Sequence, residues 1–362
     1  MICNNLLKSH NTVFTRRIFV LFSDNFWNGM WLKVLVCVAI PSIIAWVTTV
    51  SWPRIWNVEP GQLFCDKYGK SCHRICPAGF FHLPSMSNQC HPLLTCHDLQ
   101  NGIVKVNVIG AGAVKQVSLA SWKGHMIAMN EPITELYLKD YRYGLDMLQH
   151  LQGHPEVIQF LGSCNDVYFT QYHKFGSADQ LENILSDLDS GHPDTMATRF
   201  NLCLNYIKIL NFLHTNKLGT LVMCDSSDLD KTLKQYLITD DLALVLNDVD
   251  SLAMVHHSAG QLIKCGHRQL GGEFVAPEQL WPHDTEFRDE AMQPYDEKSD
   301  IWKIPDVCNN FIDRGSDAVK VKLDLFSIHS ACKEEQASFR PTTADVLQEY
   351  ERVWNSIDKS NV

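Results

Sequence analysis

The periodicity of the chain changes along its length, from the two-residue repeat of strands to the longer repeat of helices. Three alternating stretches come first, IVKVNVIG, VKQVSLASW and HMIAMNEP. A helical stretch, YLKDYRYGLDMLQHLQG, separates them from two more strand-like stretches, VIQFLGSC and VYFTQYH. The pattern then becomes helical, as in ATRFNLCLNYIKILNFLHTN. We therefore predict an α+β fold in which a small β-rich lobe precedes a larger α-rich lobe, with a ligand cleft between them.

An uncharged apolar run, residues 34–52, precedes this domain and is close to the length that a helix needs to cross a bilayer. The only acidic residue before the run is Asp24, whereas four residues there are basic: Lys8, Arg16, Arg17 and Lys33. The positive-inside rule then keeps the N-terminus cytosolic and places the remaining chain in the lumen. The alternative is a buried core helix. We expect four segments: a cytosolic tail (1–30), a transmembrane signal anchor (31–52), a cysteine-rich lumenal stem (53–100) and a globular domain (101–357).

The cysteines agree with a lumenal domain. The chain has 13 cysteines, and disulfides persist in the oxidising lumen. Five of them crowd into the stem: Cys65, Cys72, Cys76, Cys90 and Cys96. A zinc site that combines these thiols with nearby histidines is the alternative, although the spacing matches no established zinc pattern. The net charge of −10 gives no support to nucleic-acid binding, because proteins that bind nucleic acids usually carry a basic surface.

Six motifs occur in order between about residues 105 and 355: GAGAVKQV, LGTLVMCDSSDLDKTL, LVLNDVDSL, FVAPEQLWP, YDEKSDIWKIPDV and SFRPTTADVL. In this order they resemble the glycine-rich loop, the catalytic loop, the metal-binding segment and the later structural motifs of the protein kinase family. The resemblance implies a bilobal kinase-like fold. It also implies that Arg340 pairs with Glu278 of the Ala-Pro-Glu motif.

Together with CPAGFF and KCGHR, the motifs resemble more narrowly the O-mannose kinases, atypical lumenal kinases that were once classed as pseudokinases. This resemblance implies a single-pass type II protein of the endoplasmic reticulum or early Golgi membrane. It implies ATP-dependent phosphorylation of the 6-hydroxyl of O-linked mannose in the GalNAc-GlcNAc-Man trisaccharide of α-dystroglycan, which supports its further glycosylation and laminin binding. A catalytically inactive pseudokinase that binds glycans or acts as a scaffold is the alternative. The anchor and the cysteines argue against a third possibility, an ordinary cytosolic protein kinase.

The phosphate-binding residues depart from the family pattern. Gly110 and Gly112 would let the backbone approach the phosphates closely. Asn130 stands where the family places the strand lysine, so the expected cation is missing there. Lys115 stands at the position of the third glycine and can point into the same cleft. We predict that Lys115 replaces the missing lysine at the phosphates.

The catalytic loop keeps its acid but not its neighbours. Asp225 occupies the position of the catalytic base, which would orient the acceptor hydroxyl and take its proton. Met223 and Cys224 replace the usual His-Arg pair. Since that arginine reads a phosphorylated activation loop in the family, we predict an enzyme that loop phosphorylation does not switch on.

Three acids are candidate ligands for Mg²⁺ (or Mn²⁺). Asp248 matches the metal-binding aspartate of the family, although the glycine two residues later is replaced by Asp250. The second ligand of the family is an asparagine five residues after the base, where this chain has Asp230. Asp228 lies close to that position, and the sequence does not distinguish between Asp228 and Asp230.

The remaining site residues are placed only by the resemblance. The hinge that would hold adenine contains Gln171, Tyr172 and His173, next to Thr170. The acid that the family's first helix contributes should fall near Gly144, which cannot serve, and three acids nearby stay open: Glu135, Asp140 and Asp146. Four basic side chains of the activation segment could donate hydrogen bonds to sugar hydroxyls: His256, His257, His267 and Arg268. In the same segment, Cys265 is a candidate for a disulfide that would stiffen it.

Overall fold

The computed structural model describes residues 76–86, 89–187, 194–314 and 317–357, together with the backbone of 63–65 and 72–74. All of these residues belong to one compact unit, residues 60–362. The predicted cytosolic tail and signal anchor lie outside the described residues. Among the helices of the described part, none is both long enough and apolar enough to cross a membrane.

An antiparallel five-stranded sheet forms the N-terminal lobe. Its strands are β5 (Ile103–Ala111), β6 (Lys115–Trp122), β7 (His125–Pro132), β8 (Phe160–Cys164) and β9 (Val167–Gln171). They lie side by side in the order β5-β6-β7-β9-β8. The alternation in β6 places Ser118, Ala120 and Trp122 in the interior. The predicted strands are therefore confirmed, and helix α2 (Leu138–Leu151) separates the first three from the last two, as the sequence indicated.

Residues 76–100, which belong to the stem predicted from the sequence, pack against this sheet. Two short pairs of strands precede it: β1 (Leu63–Cys65) with β2 (Cys72–Arg74), and β3 (Phe80–Phe81) with β4 (His91–Pro92). Helix α1 (Cys96–Asn101) follows. Phe81 and Leu94 share a core cluster with Trp122 and Phe169 of the sheet. Disulfides join Cys76 to Cys90 and Cys96 to Cys164. The cysteines of this region that have described side chains thus form disulfides and not a zinc site.

The C-terminal lobe is helical around a large apolar core. Its helices are α3 (Leu181–Asp187), α4 (Met196–His214), α5 (Leu229–Leu233), α6 (Lys298–Ile312), α7 (Ala318–Cys332) and α8 (Thr343–Trp354). Helix α4 runs through the centre, and it packs against α6 and α8. Twelve of its 19 residues are buried, as expected for a helix enclosed on most sides. The predicted order of a β-rich lobe followed by a helical lobe is confirmed.

Two small antiparallel sheets in this lobe carry the loops of the cleft. One pairs β10 (Thr220–Met223) with β13 (Leu252–Val255), and the other pairs β11 (Tyr236–Ile238) with β12 (Leu244–Leu246). Strand β10 ends two residues before Asp225, and β12 ends two residues before Asp248. The sheets therefore fix the starting points of both acidic loops.

The late structural motifs hold the helices of this lobe together. The guanidinium of Arg340 donates two hydrogen bonds to the carboxylate of Glu278, at 2.6 and 2.8 Å. Arg340 is 2% exposed, so this paired, bidentate contact is shielded from water. The predicted pairing of these two residues is confirmed.

Candidate active site

The glycine-rich stretch forms the turn between β5 and β6. The N–H of Gly112 donates to the carbonyl of Lys115 at 2.9 Å, which closes the hairpin. A methyl group added to Gly110 or to Gly112 would meet no atom within 4 Å, and neither glycine has a positive φ. Their small size therefore leaves open space beside the backbone instead of permitting an unusual conformation. An anion can approach the backbone closely at such a turn.

Lys115 and Asn130 lie on the same face of the sheet. Strand β6 pairs with β7 so that Val117 is opposite Asn130 and Lys115 is opposite Pro132, and alternate residues of a strand share a face. Asn130 is 4% exposed, and its Nδ2 donates to Thr170 Oγ1 at 3.3 Å. The amide of Asn130, at the family's lysine position, thus forms a hydrogen bond inside the sheet. The positive charge is supplied by Lys115, which lies two residue pairs further along the β6–β7 ladder.

A partly buried ion pair joins the two lobes across the cleft. Nζ of Lys115 lies 2.7 Å from Oδ1 of Asp248, and the lysine side chain is 12% exposed. Burial alone would lower the pKa of Lys115, but the adjacent carboxylate of Asp248 reverses this and raises it above its usual value. Burial likewise acts to raise the pKa of Asp248, and the ammonium of Lys115 holds it below its usual value. Both groups are therefore charged at neutral pH.

Two further residues surround this pair, and neither was predicted from the sequence as part of the site. Burial and the negative charge of Asp248 raise the pKa of Asp250, which Lys115 counteracts only in part. Tyr168 of β9 is buried beside Lys115; burial raises the pKa of the tyrosine hydroxyl, and the charge of Lys115 counteracts this. Asp250 could have been noticed as a third acid near Asp248, whereas Tyr168 reads only as a buried strand residue. Together they form a polar wall around the Lys115 ammonium.

Helix α2 corresponds to the family's first helix, and it has Gly144 where the family has its acid. Gly144 packs directly against the segment that carries Asp248, and a Cβ atom added there would lie 2.7 Å from Cβ of Asp250. The three acids that the sequence left open are all exposed: Glu135, Asp140 and Asp146. The acid that the structure pairs with Lys115 is Asp248 itself.

Asp225 lies at the start of the catalytic loop, two residues after β10, between two side chains from the following segment. Its Oδ1 contacts Nζ of Lys231 on helix α5. Its Oδ2 accepts a hydrogen bond from Nε2 of Gln235 at 3.2 Å. The side chain of Asp225 is half-buried, with 36% of it exposed. Neither Lys231 nor Gln235 was expected from the sequence.

Side chains of helix α6 form hydrogen bonds with the loop that carries Asp225. The carboxylate of Asp300 accepts the N–H of Met223 at 3.0 Å. Nζ of Lys303 donates to Oγ of Ser226, next to Asp225, at 2.6 Å. Lys303 is fully buried, and this burial lowers its pKa despite the nearby carboxylate of Asp300. The loop that carries Asp225 is thus held by buried hydrogen bonds on both sides of that residue.

A disulfide fixes the catalytic loop to the activation segment. It joins Cys224, the residue before Asp225, to Cys265, 41 residues later. The sequence analysis named Cys265 as a candidate for a disulfide, and this is confirmed; its partner was not predicted. Cys224 stands where the family has the arginine that binds a phosphorylated loop, so a covalent bond holds the segment at that position.

Comparison with known proteins agrees with the kinase-like geometry of this site. A family model described as the protein-kinase domain of FAM69 matches residues 144–269. The protein named Protein O-mannose kinase from Macaca fascicularis is 45% identical over 289 residues, which cover 78% of this chain and 82% of that protein. This chain belongs to the protein O-mannose kinase family. The namesake proteins of Homo sapiens, 44% identical over 287 residues (78% of this chain, 81% of that protein), and Xenopus laevis, 38% identical over 333 residues (90% and 92%), agree.

Membership of this phosphotransferase family implies that the site binds ATP and a divalent metal. One buried oxygen atom without a hydrogen-bond partner is suited to be a ligand of that metal. Oε1 of Gln235 is buried and has no hydrogen-bond partner within the described residues, and amide oxygens are ligands that Mg²⁺ and Mn²⁺ accept. The backbone carbonyl of Gln235 accepts the N–H of Asp248 at 3.2 Å, so the two residues are neighbours.

The two acids proposed from the sequence as second ligands are engaged on helix α5. Oδ1 of Asp228 accepts the N–H of Lys231 at 2.8 Å and caps the helix. Asp230 is exposed and pairs with Lys234 at 2.5 Å. Helix α5 begins at Leu229, so the residue counted five places after the base is carried along a helix instead of an extended loop. The amide beside Asp225 is that of Gln235.

The expected hinge joins β9 to the C-terminal lobe. The N–H of Gln171 donates to the carbonyl of Gln159 at 3.0 Å, and the carbonyl of His173 accepts the N–H of Gly176 at 3.3 Å. Gln171 and Tyr172 are half-buried, and His173 is buried. These residues lie on the chain segment that connects the lobes, where the family resemblance places them.

Two of the four basic side chains of the activation segment, His257 and His267, contact carboxylates of the following segment. His257 Nε2 lies 2.8 Å from a carboxylate oxygen of Glu297, and His267 Nδ1 lies 2.7 Å from one of Asp289. Arg268 is exposed. Their role toward a sugar stays a prediction.

Proposed function

We propose that this protein is an ATP-dependent kinase that phosphorylates the 6-hydroxyl of an O-linked mannose. The acceptor in this proposal is the GalNAc-GlcNAc-Man trisaccharide on α-dystroglycan, whose phosphorylation supports further glycosylation and laminin binding. The observation that carries the proposal is the partly buried ion pair of Lys115 and Asp248 at 2.7 Å, in a chain 44–45% identical to proteins named Protein O-mannose kinase. A decayed site would have no reason to place a replacement cation against this carboxylate.

Each residue of the cleft has a role in this proposal. Gly110 and Gly112 admit the phosphates, and Lys115 neutralises their charge as the phosphoryl group moves. The hinge residues Gln171, Tyr172 and His173 hold adenine. Asp225 orients the mannose 6-hydroxyl and accepts its proton as the new O–P bond forms and ADP leaves.

The metal ligands in this proposal are Asp248 and Gln235. Mg²⁺ or Mn²⁺, when bound, supplies positive charge that the phosphates need. The carboxylate of Asp248 is ionised, and the amide oxygen of Gln235 is free to accept a ligand. Gln235 thereby takes the place for which the sequence offered Asp228 and Asp230.

We further propose a lumenal location for the catalytic domain, behind a type II anchor at residues 31–52 in the endoplasmic reticulum or early Golgi membrane. Three disulfides in the described residues support an oxidising compartment. Protease protection of the C-terminus in intact microsomes tests this topology, and digestion of the whole domain from outside would contradict it.

The decisive experiment measures phosphate transfer to the trisaccharide by mass spectrometry. The full-length chain in detergent is mixed with ATP, Mg²⁺ or Mn²⁺ and GalNAc-GlcNAc-Man. Lys115→Ala and Asp225→Ala are assayed beside it. Lys105→Ala is the matched control, because this lysine lies on the neighbouring strand β5 and is largely exposed in its pair with Glu131.

We expect transfer by the wild type and by Lys105→Ala, and a loss of at least about 10³-fold in the other two variants. Trisaccharide binding without transfer by the wild type would contradict the proposal and identify a glycan-binding pseudokinase.

A further inference from the structure

Helix α5 places a lysine against Asp225. The helix has only five residues, Leu229–Leu233, and starts four positions after Asp225. Nζ of Lys231 contacts Oδ1 of Asp225. The side chains of both residues are about one-third exposed, at 33% and 36%, so the pair stands at the edge of the cleft and not in bulk water.

The helix itself is fixed, which determines where the Lys231 side chain begins. The carboxylate of Asp228 accepts the N–H of Lys231 at 2.8 Å, and the Thr232 hydroxyl donates to the Asp228 carbonyl at 2.7 Å. Thr232 and Leu233 are buried against the lobe. A capped and anchored turn of this kind restricts the backbone before Lys231 forms its ion pair.

Gln235 closes the arrangement from the other side. Its Nε2 donates to Oδ2 of Asp225 at 3.2 Å and to the carbonyl of Lys231 at 2.9 Å. Each oxygen of the Asp225 carboxylate therefore has one partner, and the two partners are bonded to each other. A carboxylate held at both oxygens has little freedom to rotate.

The charges of the cleft show why Asp225 needs a cation of its own. Three acids converge there, Asp225, Asp248 and Asp250, and Lys115 is paired with Asp248. Within the described contacts of Asp225, the cation is Lys231. A phosphoryl group that approaches Asp225 adds further negative charge, and an unpaired carboxylate would repel it.

We propose that Lys231 is a positioning residue for phosphoryl transfer: it holds the Asp225 carboxylate oriented toward the acceptor hydroxyl. This inference rests on the proposed kinase function. Lys231 acts through Asp225, so its contribution disappears when Asp225 can no longer act as a base.

The test is a double-mutant cycle that combines Lys231→Met with Asp225→Asn, followed by single-turnover transfer to the trisaccharide in the full-length protein. Lys234→Met is the matched control, since Lys234 lies just beyond the same helix and pairs with Asp230 at the surface. We expect Lys231→Met to lower kcat about 100-fold, within the range of general-base effects, with the KM for ATP changed less than about twofold. Lys231→Arg should recover most of the rate, because it restores the cation.

In the Asp225→Asn background, Lys231→Met should change the remaining rate by less than about threefold. An undiminished 100-fold loss in that background, a rate equal to that of Lys234→Met, or a fall in Tm that arginine does not repair would each overturn the inference. These results leave the kinase function intact, whereas no transfer by the wild type would contradict the proposed function as well.

Discussion

The two faces of the cleft hold their charged groups in different ways. On the N-terminal lobe, the cation of the cleft is Lys115 on β6, and Asn130 on β7, at the family's lysine position, is uncharged. On the C-terminal lobe, Asp225 and Asp248 stand in loops, and a disulfide at Cys224 and the capped helix α5 hold the loop of Asp225 in place.

This difference follows from the two kinds of backbone. Residues two apart on a strand share a face, so a sheet offers several positions from which a long side chain reaches the same point. A loop has no such repeat, and each of its side chains needs its own hydrogen bonds to stay in place. The N-terminal lobe can therefore relocate a charge, whereas the C-terminal lobe must secure it.

The largest effect on phosphate transfer should come from removing the lysine at position 115 and placing one at position 130. We expect Lys115→Met to lower transfer by about 10³-fold, and Asn130→Lys added to it to recover less than about tenfold. Asn130 is 4% exposed between Thr170 and Tyr168, where an ammonium would be buried without a carboxylate. Transfer rates and thermal unfolding of the single and double variants check this, and full recovery by Asn130→Lys would show that the two positions are interchangeable.

The second prediction compares the disulfides of the two lobes by their effects on stability and on phosphate transfer. Replacing Cys224 and Cys265 by serine should cost about 4 kcal/mol of the free energy of unfolding, because the bond closes a loop of 41 residues. Transfer should also fall at least about tenfold, since the residue next to Asp225 is released. Urea unfolding and transfer at a temperature where the variant stays folded measure the two consequences separately.

The matched control removes the disulfide of Cys96 and Cys164, which spans 68 residues in the N-terminal lobe. A similar loss of stability with transfer reduced less than about threefold is expected there. Equal losses of transfer in both double variants would mean that disulfides support the site only through global stability.

The charged residues of the site were predicted from the sequence, whereas their neighbours were not. Lys115, Asp225 and Asp248 were predicted because each stands in a motif that resembles one of the protein kinase family, and such motifs are local in the chain. The second metal ligand stays a prediction: counting along the chain led to Asp228 and Asp230, but Leu229–Leu233 is a helix, and the amide beside Asp225 belongs to Gln235.

Contacts between distant segments were the part that sequence could not provide. Cys265 was a candidate for a disulfide, but its partner lies 41 residues earlier, and many cysteines were available. The glycine at position 144 was recognised only as a residue that cannot supply an acid. Its packing against Asp250 depends on how a helix of one lobe meets a loop of the other.

That packing gives the third prediction, which concerns the place where the two faces meet. Gly144→Ala would place a methyl group 2.7 Å from Cβ of Asp250, a separation that requires the helix or the loop to shift. We expect a loss of about 1–3 kcal/mol of stability, as in other overpacked sites, and lower transfer because Asp248 moves with the loop. Gly271→Ala is the control, since its Cβ would meet no atom within 4 Å and its φ is not positive. Unchanged stability and transfer in Gly144→Ala would show that α2 does not set the position of the acidic loop.

The smallest effect concerns the pH dependence of the helical lobe, where His329 on α7 contacts the Tyr350 hydroxyl at 2.6 Å. Burial, with the positive charges of Lys322 and Lys333, lowers the pKa of His329 to about 4. The unfolded chain, in which this pKa is near 6.5, therefore binds the proton first as the pH falls. Stability is complete above pH 6.5 and declines toward pH 4.

Between pH 8 and pH 5 the expected loss is about 2 kcal/mol of the free energy of unfolding, and urea unfolding at the two values measures it. His329→Gln should remove this part of the pH dependence, whereas His150→Gln on the exposed end of α2 should not. Full acid sensitivity in His329→Gln would contradict this prediction, and carboxylates with lowered pKa values, among them Asp248 of the cleft and Glu182 of the helical lobe, would then be the source. Asp248→Asn and Glu182→Gln would show which lobe limits the stability of the protein at low pH, because the variant that removes the responsible carboxylate loses the remaining acid sensitivity.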